Sequence, residues 1–229
     1  MTADSSALIA VATGLLAEAR LVERTAGVRA ISGGGDAAQL AAGLERAIAH
    51  GARAVMSFGI AGGLAPDVAP GDVVVGQSVV FVDECYATDV AWCRRLSASL
   101  EGARLGTIAA SDIPVATREA KAALRLATGA IATDMESHVA ARIAAHHQLP
   151  FAVLRVVADG ASRTLPPAAL AGLSPGGAIN VAAVLKSLMR RPSQLPQLLR
   201  VSADTSAAMK GLLRCHRLLG PGLGFVDLG

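Results

Sequence analysis

The chain is short of aromatic residues, of charge and of cysteine. Its 229 residues include four Phe, one Tyr and one Trp, so aromatics are only 3% of the whole. Ala, Val, Leu, Ile and Gly must build the core, and such small side chains favour close packing of helices on a sheet. Charged residues are 17% against 52% hydrophobic, a balance that excludes intrinsic disorder. Three cysteines (Cys85, Cys93 and Cys215) are an odd number with no C-x-x-C pair, so free thiols are expected and no zinc site. The turn Ser32-Gly33-Gly34-Gly35 does not complete a G-x-G-x-x-G fingerprint, and no P-loop lysine follows it. His146-His147 lacks an H-E-x-x-H frame, and G-x-S-x-G is absent. These absences exclude Rossmann, Walker, zinc-protease and α/β-hydrolase chemistry.

There is also no basic segment before an apolar run at the start, since Asp4 is the first charge; no signal peptide is expected. Mean hydropathy is +0.48, and Thr164 to Leu185 is uncharged and long enough to span a bilayer. Pro166, Pro167, Pro175, Gly176 and Gly177 interrupt it, so it reads as a loop entering a helix. The expectation is a cytoplasmic protein.

The net charge of +3 is unevenly spread. From Val181 onward seven Lys/Arg face Asp204 and Asp227, a local balance of +5, while the first 180 residues sum to −2. A basic helical segment over 181–229 is therefore expected, either as a solvated face or as a peripheral contact with the anionic inner membrane surface. Nucleic acid is disfavoured, because no aromatics interleave with the basic residues.

Apolar runs alternate with helical patterns, which predicts a single α/β domain over 1–229: a three-layer α/β/α sandwich around a central mixed sheet. Strands are expected at 7–13, 28–31, 54–58, 72–80, 105–110, 129–132 and 151–157. Helices are expected after Gly14, at 36–50, 117–127 and 134–147, and as two helices reaching about Leu219. Leu40, Leu44 and Ile48 give the second helix its apolar stripe.

Three carboxylates, Glu18, Glu136 and Asp159, fall just beyond predicted strands, where α/β sheets gather ligands. Each has a structural alternative. Thr133-x-x-Glu136 fits a capping box, Asp159-Gly160 fits a turn, and Glu18 fits a surface helix beside Arg20. Arg155 lies inside the apolar run Phe151 to Val157, where a lone guanidinium is costly, so it should have a carboxylate partner.

Two blocks carry a resemblance. "SFGIAGGLAPDVAPGDVVVG" (57–76) resembles the glycine segment of the purine and uridine phosphorylase family, with the methylthioadenosine/S-adenosylhomocysteine nucleosidases as nearest relatives there. "TDMESHVAARIAAHHQLPFAVLRVVADGA" (133–161) resembles that family's ribose-binding Met-Glu followed by its catalytic Asp. "MESHVAAR", "VADGASRTLPPAAL" and "RRPSQLPQLLRVSADTSAAM" are similar to the hopanoid-associated subgroup.

The resemblance implies cleavage of the N-glycosidic bond of an adenine nucleoside, adenosylhopane in hopanoid lipid biosynthesis, by a homodimer that needs no cofactor; the alternatives are a phosphate-dependent nucleoside phosphorylase and a methylthioadenosine/S-adenosylhomocysteine nucleosidase acting on soluble substrates. Asp159 would protonate N7 of the leaving base, Glu18 would activate water, and Glu136 with Met135 would hold the ribose. Glycines 33 to 35 (Gly34 among them) and the segment 59 to 63, with Ile60, Ala61 and Gly62, would line the pockets. No metal is implied. Glu18 and Ser57 stand where the phosphorylases place phosphate-binding arginines, so water is favoured over phosphate as co-substrate. Phe81, Tyr86 and Trp92 are the candidates for contacting the nucleoside's 5′ substituent.

Overall fold

The computed structural model describes residues 8–172 and 177–226. Eight strands alternate with helices: β1 (Leu8–Thr13), α1 (Leu16–Val22), β2 (Val28–Ser32), α2 (Ala37–Ala49), β3 (Ala52–Gly63), β4 (Val73–Phe81), β5 (Glu84–Ala87), α3 (Val90–Ser99), β6 (Arg104–Ala110), α4 (Arg118–Thr128), β7 (Ala132–Asp134), α5 (Ser137–His146) and β8 (Phe151–Asp159), then α6 (Pro167–Ala171), α7 (Val181–Arg190) and α8 (Leu195–Leu219).

The sheet has two core faces because the strands alternate at period two. Ala10 and Ala12 of β1 join Leu40 and Leu44 of α2 and Val139 and Ala140 of α5 on one side. Ile9 and Val11 join Val22, Trp92, Leu96 and Leu212 on the other. This is the expected layered fold with a mixed sheet. All nine residues of β8 are buried, as its near-continuous apolar run predicts for a covered strand.

The sheet is more than an open layer. β8 runs parallel to β3 and antiparallel to β4, β4 pairs with β6, β6 with β7, and β7 returns antiparallel to the end of β3. Five strands thus form a closed hydrogen-bonded circuit, with β1 and β2 extending from β3.

The sequence reading differs from the structure at several points. β3 runs to Gly63, through the glycine segment expected to follow it, because small residues there admit neighbouring side chains. A Cβ on Gly59 would lie 2.6 Å from Arg155 Nη1 and 2.8 Å from Glu18 Oε1. β7 covers 132–134 rather than 129–132; Gly129, in the left-handed conformation (φ 70°), caps α4 instead. Strand β5 and helix α3 escaped the apolar patterning, since β5 is a four-residue exposed edge strand.

The C-terminal segment divides in function. Ala208, Leu212, Cys215 and Leu219 give α8 a buried stripe against the sheet, whereas Leu199 is 61% exposed and Met189 of α7 is 78% exposed. The basic segment is therefore a core helix in its second half and a free surface only in its first. Among the described residues no helix is long and apolar enough to cross a membrane. Replacing Leu212 with Ala should cost about 2–5 kcal/mol in urea unfolding, and Leu199→Ala under about 0.5 kcal/mol. Equal losses would contradict this division.

Candidate active site

The cleft is assembled where β1, β3, β7 and β8 end. Glu18, Glu136 and Asp159 come from three distant stretches of chain and all line it, together with Met135, Ile60 and Gly62. Ala61, Gly34 and Gly35 line it as well. Gly33, Gly59 and Gly63, which the resemblance also placed in the pockets, do not: positions 33 and 63 pack against Leu40 and Val157, and position 59 makes room for Arg155 and Glu18.

Glu18 is 1% exposed, not a surface helix residue. The backbone N–H groups of Gly14 and Leu15 each donate to its Oε2 at 2.8 Å, and that of Ile60 donates to Oε1 at 2.8 Å. One carboxylate thereby joins the ends of β1 and β3. Burial pushes its pKa above the ordinary carboxylate range, against the opposing pull of Arg155 and these N–H groups.

Arg155 is fully buried in β8, and its carboxylates are those flanking Met135. Its Nε lies 2.8 Å from Asp134 Oδ2 and its Nη2 lies 3.7 Å from Glu136 Oε2. Nη2 also donates to Ser57 Oγ at 2.6 Å and to Ser137 Oγ at 3.2 Å. Asp134, not Glu136, serves the start of α5: its Oδ1 accepts the N–H of Glu136 at 3.1 Å and of Ser137 at 2.9 Å. The Glu136 side chain makes no capping bond, so the capping-box alternative fails and its carboxyl remains for the cleft. A Cβ on Gly14 would come within 2.8 Å of Glu136 Oε1, which explains glycine there.

Desolvation pushes the Glu136 pKa up to about 8, Arg155 opposing and the charges of Asp134 and Glu18 reinforcing the rise. Asp159 ends β8 at 9% exposure, within the strand rather than in a turn beyond it. Burial raises its pKa too, while Lys121 and then Arg163 oppose.

Several cleft residues were not singled out in the sequence. Asp134 was legible as a neighbour of Glu136; Lys121, which is buried outside the cleft lining and pairs with Asp159, was not. Ile113, Pro114, Val115 and Leu165 supply an apolar wall that no motif marked. Thr133 lines the cleft with a buried hydroxyl that has no hydrogen-bond partner among the described residues.

The aromatic candidates lie elsewhere. Trp92 is a fully buried residue of α3, its Nε1 donating to Leu223 O at 2.9 Å, and Phe81 stacks on His138 with ring centroids 4.2 Å apart. Tyr86 packs against the core from β5. Among the described residues none of the three lines the cleft.

The phosphorylase superfamily model matches residues 10–190. The chain belongs to the phosphorylase superfamily. Membership makes it an enzyme of the nucleosidase or nucleoside phosphorylase type.

Solved structures share this superfamily fold. An S-adenosylhomocysteine nucleosidase from Streptococcus pyogenes is 19% identical, with a TM-score of 0.61 over 89% of this chain and 98% of its own. A 5′-methylthioadenosine/S-adenosylhomocysteine nucleosidase from Neisseria meningitidis is 21% identical, with a TM-score of 0.60 over 91% and 99%. The futalosine hydrolase of Helicobacter pylori is 18% identical, with a TM-score of 0.60 over 91% and 97%. No curated protein sequence matches the chain.

The raised Glu136 pKa has a sign that can be measured. Between about pH 4.5 and 8 the folded protein keeps a proton that the unfolded chain releases, so stability falls as pH rises through this window. Glu18 and Asp159 act in the same direction. Glu136→Gln should therefore make the decline of Tm from pH 5 to 8 shallower. An unchanged slope would show that Glu136 is ionised throughout.

Proposed function

We propose that this member of the superfamily hydrolyses the N-glycosidic bond of an adenine nucleoside, releasing adenine. The observation that carries this reading is the meeting of Glu18, Glu136 and Asp159 in one cleft. Such a bond breaks through an oxocarbenium-like transition state, which needs an acid for the leaving group, negative charge near the sugar and a held nucleophile. Asp159, whose raised pKa keeps its proton longer, gives it to N7 of the base. Glu136 takes the ribose hydroxyls, with Met135 against the sugar. Glu18, fixed by three N–H donors, orients and deprotonates the attacking water. The wall of Ile113, Pro114 and Val115 offers an apolar face for the purine.

Water is favoured over phosphate on charge. The cleft is lined by Glu18, Asp134, Glu136 and Asp159, and the buried cations beside it are already held, Arg155 by Asp134 and Lys121 by Asp159. Arg20 is exposed and does not line the cleft. Among the described residues no Lys or Arg lines the cleft to receive a phosphate dianion. The solved relatives named as nucleosidases and as a hydrolase are consistent with this choice.

For the substrate we propose adenosylhopane, a lipid-linked nucleoside, handled by a homodimer. Support comes from the likeness of "MESHVAAR" and "VADGASRTLPPAAL" to the hopanoid-associated subgroup, and from the surface beside the cleft. Gly177, which lines the cleft, leads into α7, whose Val181, Leu185 and Met189 recur every four residues and are 61%, 54% and 78% exposed. Lys186, Arg190, Arg191 and Arg200 accompany them, and no acidic residue lies between Asp159 and Asp204. An apolar stripe set among cations fits an anionic bilayer surface.

Incubation with adenosylhopane, methylthioadenosine and adenosine, with and without phosphate, should release adenine fastest from adenosylhopane and equally in both conditions. Asp159→Asn should lower kcat about 100-fold or more with little change in KM. Strict phosphate dependence would make the protein a phosphorylase, and equal rates on methylthioadenosine would make it a nucleosidase of soluble substrates. Anionic vesicles should sediment the protein, and Leu185→Glu with Met189→Glu should abolish this. Vesicle binding by that variant equal to wild type would reject the α7 surface.

A further inference from the structure

The carboxyl assigned to the acid step does not stand alone. Lys121 of α4 is fully buried and meets Asp159 without itself lining the cleft. Its Nζ donates to Asp159 Oδ2 and, at 2.9 Å, to the backbone carbonyl of Gly160. Among the described residues Oδ1 of Asp159 takes no hydrogen bond. A buried lysine on an otherwise amphipathic helix costs desolvation unless an anion meets it, so its contact with this one carboxyl is a specific pairing.

The other charges around Asp159 are Arg163 on the loop after β8 and Asp204 on α8, which pair with each other at 3.3 Å. On α4 itself, Arg118 is exposed beside Glu119, and Arg125 points to Ala130 O. Glu18, Asp134 and Glu136 line the same cleft, the last two in contact with Arg155. Lys121 is therefore the cation in direct contact with Asp159.

We propose that Lys121 is the positioning residue of the acid: it fixes Oδ2, leaves Oδ1 to the base, and stabilises the carboxylate that remains once the proton has left. The inference rests on the proposed hydrolysis. In that step the O–H bond of Asp159 breaks and an N7–H bond forms, while the electrons of the C1′–N9 bond pass into the purine. Lys121 keeps its protons throughout. Water adds to C1′ and gives its proton to Glu18, and solvent exchange restores both carboxyls after release.

This role has a two-part signature. Without the ammonium, Asp159 holds its proton to higher pH yet surrenders it less readily. In Lys121→Gln the basic limb of the kcat–pH profile should move up by about one pH unit or more, while the plateau falls about tenfold or more and KM changes little. Lys121→Arg, which keeps the charge, should hold the limb near its wild-type position. The carbon-13 carboxyl signal of Asp159, identified by its loss in Asp159→Asn, should titrate higher in Lys121→Gln by a similar margin.

An active wild type whose Lys121→Gln variant shows an unmoved basic limb and an unmoved carboxyl titration would overturn the role and leave a structural prop. Should Lys121→Gln fail to fold, Lys121→Met in the same two measurements decides by the same criteria. If neither neutral variant folds, a Lys121→Arg limb displaced as far as one pH unit overturns the role, and an undisplaced limb supports it. A wild type that releases adenine from no nucleoside would end the proposed function, and this role with it.

Discussion

The site depends on one buried guanidinium. Arg155 sits in a strand whose every residue is covered, where an unpaired cation would cost several kcal/mol. Its neutralisation draws Asp134 and Glu136 from the β7–α5 junction, and its charge also acts on Glu18 from α1. Three separated segments are thus bound to one point by charge, and the cleft is the space left above it. Glycines at 14 and 59 follow from the same constraint, because side chains there would collide with Glu136, Glu18 or Arg155 itself.

A second pair, Lys121 with Asp159, stands at the other group assigned to chemistry. The two pairs differ in kind. Arg155 shares its charge among several acids and hydroxyls, so no single carboxyl is fully neutralised and the Glu136 pKa can rise to about 8. Lys121 meets one carboxyl alone. The result is a cleft lined by acids that hold protons unusually well and, among the described residues, by no lysine or arginine, so it offers an anion no cation to bind.

Much of this was legible in the sequence, and the failures have physical causes. β1 and β8 could be read because near-continuous apolar stretches mark covered strands. Arg155 announced its need for a partner by interrupting such a run. Lys121 gave no such signal: a lysine in "REAKAALRLAT" looks like a solvated position, and only the docking of α4 buries it. Phe81, Tyr86 and Trp92 were nominated for their apolar surface alone, but large rings are also what a core poor in aromatics needs, and Trp92 went there. The closure of the sheet was hidden because β7 is three residues long, too short for any periodicity.

That short strand has a consequence for how the molecule comes apart. Thr133 pairs with Gly62 on one side and Ala109 on the other, and the next residues are Asp134, Met135 and Glu136. Opening these few ladder contacts would break the strand circuit and carry Asp134 and Glu136 away from Arg155 in the same movement. Loss of the cleft and rupture of the ring are then one local event, so hydrogen exchange at Ala132 to Asp134 would report the lifetime of the competent site itself.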